Sequence, residues 1–244
     1  MMHAIETREL TRRFGSLTAV DGLNLTVEEG ELFALLGVNG AGKTTAIRML
    51  CGLLTPTAGD ALICGKSVTR ETAAVKRLIG VSPQETAVGL HLTVRENLLL
   101  MAGLQGCVRQ QSREKTEAML RRLHLDEVAD KRAKTLSGGW MRRLSIAMAL
   151  IGEPRVLFLD EPTLGLDVLI RRELWQVIRS LKGRTTVILT THYLEEAQAL
   201  SDRIGIIRHG HLTALGTAEE LMAAAGTDSF EEAFVALVGE EAAK

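Results

Sequence analysis

A glycine-rich loop between an apolar strand and a helix constrains this chain more than any other segment. The apolar run at residues 32–36 predicts a buried strand, the loop GVNGAGKTT follows at 37–45, and residues 46–50 continue as a predicted helix. Backbone N–H groups of a tight glycine turn form an anion-binding concavity, and a helix N-terminus adds positive partial charge. Lys43 is placed to reach the β- and γ-phosphates of a nucleoside triphosphate, and Thr44 to bind Mg²⁺. We name this segment the phosphate loop, and its predicted nucleotide-binding residues are Gly37, Val38, Asn39, Gly40, Ala41, Gly42, Lys43, Thr44 and Thr45.

The alternative is an ordinary flexible glycine turn between a strand and a helix. With glycine at about 7% of residues, this spacing arises by chance in roughly one chain of this length in a hundred. Its position directly after a predicted strand makes a chance match rarer still. The loop therefore predicts binding of a nucleoside triphosphate.

Composition narrows the class of protein. The 244 residues, of which 46% are hydrophobic, allow one large domain or a domain with a subdomain. The formal net charge of −1 gives no indication of nucleic-acid binding. The apolar runs fall short of the roughly 20 residues that cross a bilayer, and the N-terminus lacks the order of a secretion signal. Three cysteines without a CxxC pair indicate a reducing compartment, so we expect a cytoplasmic protein that meets a membrane only through a partner.

Strand and helix patterns alternate along most of the chain. Gly15 and the pair Asp21-Gly22 are turn signals between the early strands. The segment from about residue 93 to 152 is mainly helical, with Leu and Met at helical spacing. Strands are predicted at 3–9, 22–28, 32–36, 61–63, 78–82, 156–159, 185–189 and 204–207, and a helix at 169–181. This order predicts an α/β core with a largely parallel sheet and a helical insertion.

Two carboxylates end the apolar run at 156–159. Ligands of parallel α/β sheets bind at the carboxyl ends of the strands, where Asp160 and Glu161 lie. Asp160 is placed to hold Mg²⁺, and Glu161 to orient and deprotonate an attacking water. The alternative is a pair of solvated acids before a proline, but the phosphate loop upstream favours the catalytic interpretation.

Leu136-Ser137-Gly138-Gly139, the signature turn, is the third feature. A serine cap and two glycines at a helix N-terminus leave backbone N–H groups free to meet an anion. With the phosphate loop and the Asp160-Glu161 pair, in this order, the chain resembles the ATP-binding subunit of an ATP-binding cassette (ABC) transporter over essentially its whole length. The resemblance implies that Ser137, Gly138 and Gly139 face ATP held by another copy, so that two chains close head to tail on two ATP molecules.

The resemblance also assigns four single residues. Phe14 occupies the place of an aromatic that stacks on adenine, and Gln84 that of a glutamine that contacts Mg²⁺. Asp167 is expected in a loop at the dimer interface, and His192 at the γ-phosphate. The implied catalytic pair is then Glu161 and His192, and the implied Mg²⁺ ligands are Thr44, Gln84 and Asp160.

The implied fold is a P-loop NTPase core with a mostly parallel sheet, an N-terminal antiparallel β subdomain and an inserted α-helical subdomain. Within a single domain of residues 1–244, the nucleotide-binding core is expected at 1–90 and 153–216. The helical signature subdomain is expected at 91–152 and a short helical tail at 217–244. In the tail, Phe230, Phe234, Leu237 and Val238 share one helical face and are expected to pack on their own domain.

A transporter ATPase without a membrane span needs an integral membrane permease as a partner, here expected near residues 84–93. The implied location is the inner face of the cell membrane, with a second copy or a related ATPase subunit and without nucleic acid. The short ending after the core resembles exporters of drugs, antibiotics or lipids, since importer ATPases often carry a longer regulatory domain. Neither the cargo nor the permease can be read from the chain.

Three other classes of nucleotide-binding protein are alternatives. A soluble ABC ATPase acting on ribosomes or DNA usually fuses two cassettes or carries a long coiled coil, and the chain has neither. A non-hydrolysing regulatory module needs a broken Asp160, Glu161 or His192, and a P-loop GTPase needs an Asn-Lys-x-Asp motif. An ATPase that drives a separate membrane subunit is the prediction, with the soluble ABC ATPase as the alternative.

One position departs from the family pattern. The residue after the signature turn is usually glutamine and here is Trp140. Spacing places it on the helix face of Leu144, Ala147, Met148 and Ile151, which predicts an anchor in the core of the insertion. The alternative is that Trp140 alters dimer contact or slows hydrolysis.

Overall fold

The computed structural model describes residues 3–239. Within these residues, ten strands form two sheets. The strands are β1 (Ile5–Phe14), β2 (Leu17–Val27), β3 (Leu32–Leu36), β4 (Ala58–Ile63), β5 (Lys66–Ser67), β6 (Ile79–Ser82), β7 (Val156–Asp160), β8 (Thr186–Thr191), β9 (Arg203–Arg208) and β10 (His211–Gly216).

The first sheet is antiparallel and has the order β2-β1-β4-β5. The second has the order β10-β9-β3-β8-β7-β6, and all its pairs are parallel except β9 with β10. Strands β3, β8 and β7 are neighbours, so their carboxyl ends meet at one edge. That edge carries the phosphate loop, Glu161 and His192.

Strand β3 is buried on both faces. Phe33 and Leu35 join a core cluster with the antiparallel sheet, while Leu32, Ala34 and Leu36 join a cluster with the helices. Successive side chains of a strand point to opposite faces, so a continuous apolar run is what a doubly covered strand requires. Strand β7 divides its side chains in the same way.

Two of the α-helices begin with a threonine capping box. Thr93 and Glu96 form one at the start of the helix Val94–Leu104, and Thr217 and Glu220 form one at the start of the helix Ala218–Ala225. The helices are α1 (Lys43–Leu50), α2 (Thr72–Leu78), α3 (Val94–Leu104), α4 (Arg109–Arg122), α5 (Gly138–Leu150), α6 (Val168–Arg179), α7 (Leu194–Leu200), α8 (Ala218–Ala225) and α9 (Phe230–Gly239).

These elements confirm the predicted fold class, with a mostly parallel sheet, an antiparallel sheet and helices α3–α5 inserted between β6 and β7. The division of 1–244 into subdomains stays a prediction. In the tail, Phe230 is buried in α9, and Phe234, Leu237 and Val238 pack against the same cluster. The predicted tail runs to residue 244, and residues 240–244, like 1 and 2, lie outside the described residues.

The early strands differ from the prediction. Gly15 and Asp21-Gly22 were both predicted as turn signals, but β2 runs through Asp21-Gly22. The reversal between β1 and β2 lies at Gly15, with φ +56°, where one of the two turns was predicted. Gly22, with φ +57°, lies where the β1–β2 register shifts between Leu10 and Arg12. A glycine in a strand marks a bulge as readily as a turn, and the bulge is the outcome here.

Candidate functional site

The phosphate loop wraps the start of α1. Helix α1 begins at Lys43, and Gly42 before it has φ +108°. A Cβ on Gly42 would lie 2.3 Å from the carbonyl oxygen of Ala19, and one on Gly37 would lie 2.4 Å from that of Ile207. Backbone this close leaves no room for a side chain, which explains glycine at both positions.

Lys43 is buried inside this loop. Its Nζ donates to the carbonyl oxygens of Gly37 at 2.7 Å and Val38 at 3.2 Å, and lies 3.4 Å from Glu161 Oε1. The ammonium is thus fixed by backbone oxygens and has a carboxylate partner. This places a fixed positive charge at the floor of the loop.

The carboxyl ends of β7 and β8 hold the acidic pair. Thr190 Oγ1 donates to Asp160 Oδ1 at 2.5 Å and accepts from the Glu161 backbone N–H at 3.0 Å. Thr44 Oγ1 donates to Asp160 Oδ1 at 3.2 Å. Asp160 is thereby tied to the phosphate loop, and both carboxylates are about 5% exposed.

Glu161 joins three elements. Its Oε1 faces Lys43, and its Oε2 lies 2.8 Å from His192 Nδ1. The carboxylate therefore lies between the phosphate loop and the end of β8. Its backbone has φ +49°, a left-handed conformation that is uncommon for a residue other than glycine. Such strain concentrates at functional sites.

These groups open into one cavity of about 470 Å³. A cavity of this size accepts a small organic ligand. Its lining contains most of the predicted nucleotide-binding residues. Gly37 and Val38 of the phosphate loop lie outside the lining, and so does Asp160, which is hydrogen-bonded to Thr44. The lining residues are Phe14, Leu17, Ala19, Asn39, Gly40, Ala41, Gly42, Lys43, Thr44, Thr45, Gln84, Glu161, Leu164 and His192.

Phe14 stands at the rim of the cavity, at the end of β1. The residue is 46% exposed, and the Arg12 guanidinium lies 4.5 Å from the ring centroid. An exposed aromatic next to a cavity offers a flat surface for stacking. The arginine beside it was not predicted.

The signature turn lies away from this cavity. Ser137 and Gly138 are exposed at the start of α5, and neither they nor Gly139 line the cavity. A Cβ on Gly139 would lie 2.4 Å from Ile170 Cγ2, so α5 crosses α6 at close range here. Asp167 caps α6 by accepting from Leu169 N at 3.0 Å and Ile170 N at 3.1 Å.

Trp140 is half-buried, as its helical spacing predicts. It packs against the core cluster that contains Leu144 and Ala147. The Arg143 guanidinium lies 5.1 Å from its ring centroid and pairs with Glu173 of α6. The ring therefore packs within its own chain.

Two buried groups near the site were not predicted. Arg142 of α5 donates to the carbonyl oxygens of Pro83 at 2.7 Å and Gln84 at 2.8 Å. Glu196 of α7 accepts from Trp175 Nε1 at 3.0 Å, and burial raises the pKa of its carboxyl. No local pattern marks either residue, because each contacts partners far away in the sequence.

The donor set beside the phosphate loop fits Mg²⁺. Thr44 offers a hydroxyl, Asp160 a carboxylate, and Gln84 an amide oxygen, and Gln84 and Asp160 also line a second pocket together. Mg²⁺ prefers such oxygen ligands and completes its shell with water and substrate phosphates. The cavity thus combines an anion cradle, a place for a hard cation, and a carboxylate able to take a proton.

A protein-family model described as "ABC transporter" matches residues 20–164. A second model, "AAA domain, putative AbiEii toxin, Type IV TA system", matches residues 136–196. The first match spans more than half of the chain and contains the phosphate loop, the signature turn and the Asp160-Glu161 pair.

The daunorubicin/doxorubicin resistance ATP-binding protein DrrA of Streptomyces peucetius is 45% identical over 226 residues, which cover 92% of this chain and 68% of DrrA. The probable multidrug ABC transporter ATP-binding protein YbhF of Escherichia coli is 40% identical over 241 residues. Those residues cover 96% of this chain and 41% of YbhF, so the chain spans less than half of that relative.

Among solved structures, the chain resembles a post-hydrolysis dimer of the ATP-binding cassette MJ0796 bound to ADP and Pi. The TM-score is 0.79 at 25% identity, over 87% of this chain and 98% of the other. None of the helices between residues 3 and 239 has the length and apolar character that a bilayer crossing requires. Fold, site and relatives agree: the chain belongs to the ATP-binding subunits of ABC transporters, and it is an ATPase.

Proposed function

We propose that this chain is the motor of an exporter: two copies close head to tail on two ATP molecules and drive a separate integral membrane permease. The observation that carries the proposal is the separation of two parts of the chain. The reacting groups share one cavity, whereas the signature turn is exposed and lies outside it. A second copy is the simplest way to bring a signature turn to each cavity.

Nucleotide binding is assigned to the cavity wall. Phe14 stacks on the adenine ring, and the backbone N–H groups of the phosphate loop cradle the phosphates. Lys43 places its charge against the β- and γ-phosphates. The support is the buried, backbone-fixed position of Lys43 and the exposure of Phe14 at the rim.

Hydrolysis is assigned to Glu161 and His192. Glu161 takes a proton from the attacking water, and His192, 2.8 Å from its Oε2, orients this carboxylate and reaches the γ-phosphate. Thr190 holds both acids in place. Thr44, Gln84 and Asp160 would hold Mg²⁺, which neutralises charge on the β- and γ-phosphates when bound. Catalysis then rests mainly on positioning and electrostatics.

The dimer contacts are assigned to Ser137, Gly138 and Gly139, with Asp167 in the facing loop. A helix N-terminus with exposed N–H groups favours a γ-phosphate presented by the other chain. The similarity to a solved dimer of an ATP-binding cassette supports this arrangement.

Export is the direction that the relatives favour. DrrA is named for daunorubicin/doxorubicin resistance and YbhF as a probable multidrug transporter component. By this analogy the cargo is a drug, an antibiotic or a similar compound, chosen by the permease, and the ATPase works at the inner face of the cell membrane.

Mixing two inactive variants tests the head-to-tail dimer. Lys43→Ala disables the phosphate loop of one chain and Ser137→Arg the signature turn of the other. The mixed dimer then contains one intact site, so ATPase activity should return. As a matched control, the double variant Lys43→Ala/Ser137→Arg should inhibit wild-type protein when mixed with it. Failure of the two single variants to restore activity would contradict the arrangement.

Co-purification tests the transporter role. The chain should be extracted from membranes by mild detergent together with a multi-span protein in fixed stoichiometry. Recovery with ribosomes or nucleic acid instead would favour a soluble ABC ATPase and leave only the ATPase chemistry in place.

A further inference from the structure

Arg142 is a buried arginine whose guanidinium binds backbone. The residue is 6% exposed, and it lies in α5 five positions after Ser137. Two of its nitrogens, Nη1 and Nη2, donate to the consecutive carbonyl oxygens of Pro83 and Gln84. The same helix that begins at the signature turn thus holds the backbone of Gln84.

The acceptors are neutral, which makes this contact unlike an ion pair. Burial lowers the pKa of the Arg142 guanidinium, and the charges of Asp160, Glu196 and Glu161 act in the opposite direction. The hydrogen bonds of the guanidinium therefore go to the backbone of the loop and not to a carboxylate. A planar fork of donors suits two adjacent carbonyl oxygens, and a lysine ammonium does not reproduce that geometry.

A second contact ties α5 to the strand before this loop. Ser82 Oγ and Ser145 Oγ are both buried and lie 2.8 Å apart. A Cβ on Gly80 would lie 2.2 Å from the carbonyl oxygen of Ala149, so the helix packs directly on β6. The base of the loop and α5 therefore form one packed unit.

The far end of the loop is also held by a buried side chain. Asn97 of α3, which is fully buried, accepts from Gly89 N at 2.8 Å and donates to Gly89 O at 3.1 Å. Between the two attachment points lie residues 85–88. Gln84 is thus the last residue held by α5 before the chain crosses to α3.

We propose that Arg142 is a positioning residue: it holds Gln84 at the nucleotide cavity and makes the signature turn follow any movement of Gln84. This inference rests on the proposed role of Gln84 as a Mg²⁺ ligand. Nucleotide that moves Gln84 is thereby sensed, through Arg142, at the turn that meets the other copy's ATP.

The test compares Arg142→Lys with Arg143→Lys and Gln84→Ala in the full chain. Arg143 is the matched control, because it is the neighbouring buried arginine and its partner is the Glu173 carboxylate, which lysine can still pair with. A fluorescent ATP analogue is titrated with and without Mg²⁺, and ATPase rates are measured in parallel.

Without Mg²⁺, Arg142→Lys should bind the analogue as tightly as wild type does. The affinity gained on adding Mg²⁺, and kcat, should each fall by roughly tenfold or more, as for other residues that orient metal ligands. Arg143→Lys should leave both near the wild-type values. In the double variant Arg142→Lys/Gln84→Ala, the affinity gained on adding Mg²⁺ and kcat should be no lower than in Gln84→Ala alone, because both substitutions disrupt the same interaction.

Other results overturn the inference. If Arg142→Lys matches Arg143→Lys, if it weakens binding equally without Mg²⁺, or if its effect multiplies with that of Gln84→Ala, Arg142 has only a structural role. If Gln84→Ala itself keeps the full effect of Mg²⁺, the role of Gln84 fails as well. If wild-type protein binds no nucleotide, the proposed function fails, whatever Arg142 does.

Hydrogen exchange keeps the inference testable if Arg142→Lys does not fold. In dilute wild-type protein, Mg²⁺ and ATP together should slow amide exchange in residues 83–89 and in residues 143–150 by similar factors, because linked segments open as one unit. Gln84→Ala should reduce both effects together. Slowing confined to residues 83–89 overturns the linkage.

Discussion

The nucleotide cavity and the signature turn are built in opposite ways. In the cavity, Glu161 already contacts both Lys43 and His192 of its own chain. In the signature turn, Ser137 and Gly138 are exposed. Under the proposed function, the first is the reaction centre, and the second is a binding element whose target is the ATP held by the other copy.

This difference shows where rigidity is needed. The cavity is fixed by contacts among strands β3, β7 and β8, which a monomer forms alone. Behind the signature turn, Ile170 of α6 packs against Gly139 and fixes its position. A binding surface aimed at another molecule gains affinity when it is held in shape beforehand.

The largest effect is expected from Glu161→Gln, which alters the cavity and leaves the signature turn intact. The amide keeps the size of the side chain but cannot take a proton. Since general-base assistance contributes about 10²–10⁴-fold, ATP turnover should fall by that range. ATP binding should persist, and the closed dimer should accumulate. Steady-state ATPase assays with size-exclusion chromatography in ATP check this, and full turnover would remove Glu161 from its role.

The next effect concerns the two glycines of the signature turn. A Cβ at Gly139 meets Ile170 Cγ2 at 2.4 Å, whereas one at Gly138 meets Leu166 Cδ2 at an ordinary 3.6 Å. Gly139→Ala should therefore lower the free energy of unfolding by about 1–3 kcal/mol, through overpacking. Gly138→Ala is the matched control and should change it by no more than about 0.5 kcal/mol. Urea denaturation measures the free energy of unfolding of both variants, and equal values would contradict the packing argument.

A smaller effect is expected at Asp167, which caps α6 and is also assigned to the dimer interface. Asp167→Ala removes the acceptor for Leu169 N and Ile170 N, and should cost about 1 kcal/mol of stability. Asp167→Ser keeps a capping oxygen and should restore most of that stability. If the serine variant recovers ATPase activity together with stability, capping of α6 is sufficient to explain the role of Asp167. Thermal melts and ATPase rates separate the two roles.

The smallest effect is expected in the pH dependence of stability, through the buried Glu196 near the cavity. Burial raises the pKa of Glu196 above its ordinary value of about 4.3. A carboxyl with a raised folded-state pKa contributes stability below the ordinary pKa, and this contribution is lost as pH rises through the raised value. Glu196→Gln stays neutral and can still accept from Trp175. Relative to this variant, wild type should lose stability as the pH rises from 4 to 8. Urea midpoints at several pH values test this, and a constant difference would contradict it.

Much of the cavity was predictable because its residues are close in sequence to the elements that carry them. The phosphate loop lies between β3 and α1, and the acids follow β7 directly. Apolar runs identified β3 and β7 because both faces of these strands are buried. For β3 and β7, the local apolar pattern and the buried environment in the fold therefore agree.

The features that the sequence did not predict depend mostly on contacts between distant segments. Helix α2 is too short to show a helical period, and β10 is a partly exposed edge strand, so neither was predicted. The bulge at Gly22 and the reversal at Gly15 have similar local signals, and only pairing with β1 separates them. Arg142 was missed for the same reason, since its acceptors lie 58 and 59 positions away.

The left-handed backbone at Glu161, with φ +49°, has a consequence for protein engineering. Such a conformation costs about 1–3 kcal/mol in residues other than glycine. Glu161→Gly removes this strain, but it also leaves the buried Lys43 ammonium without its carboxylate partner, and loss of one partner of a buried ion pair costs about 3–5 kcal/mol. A library screened for thermal stability alone is therefore expected to retain Glu161, although such a screen never measures ATP hydrolysis.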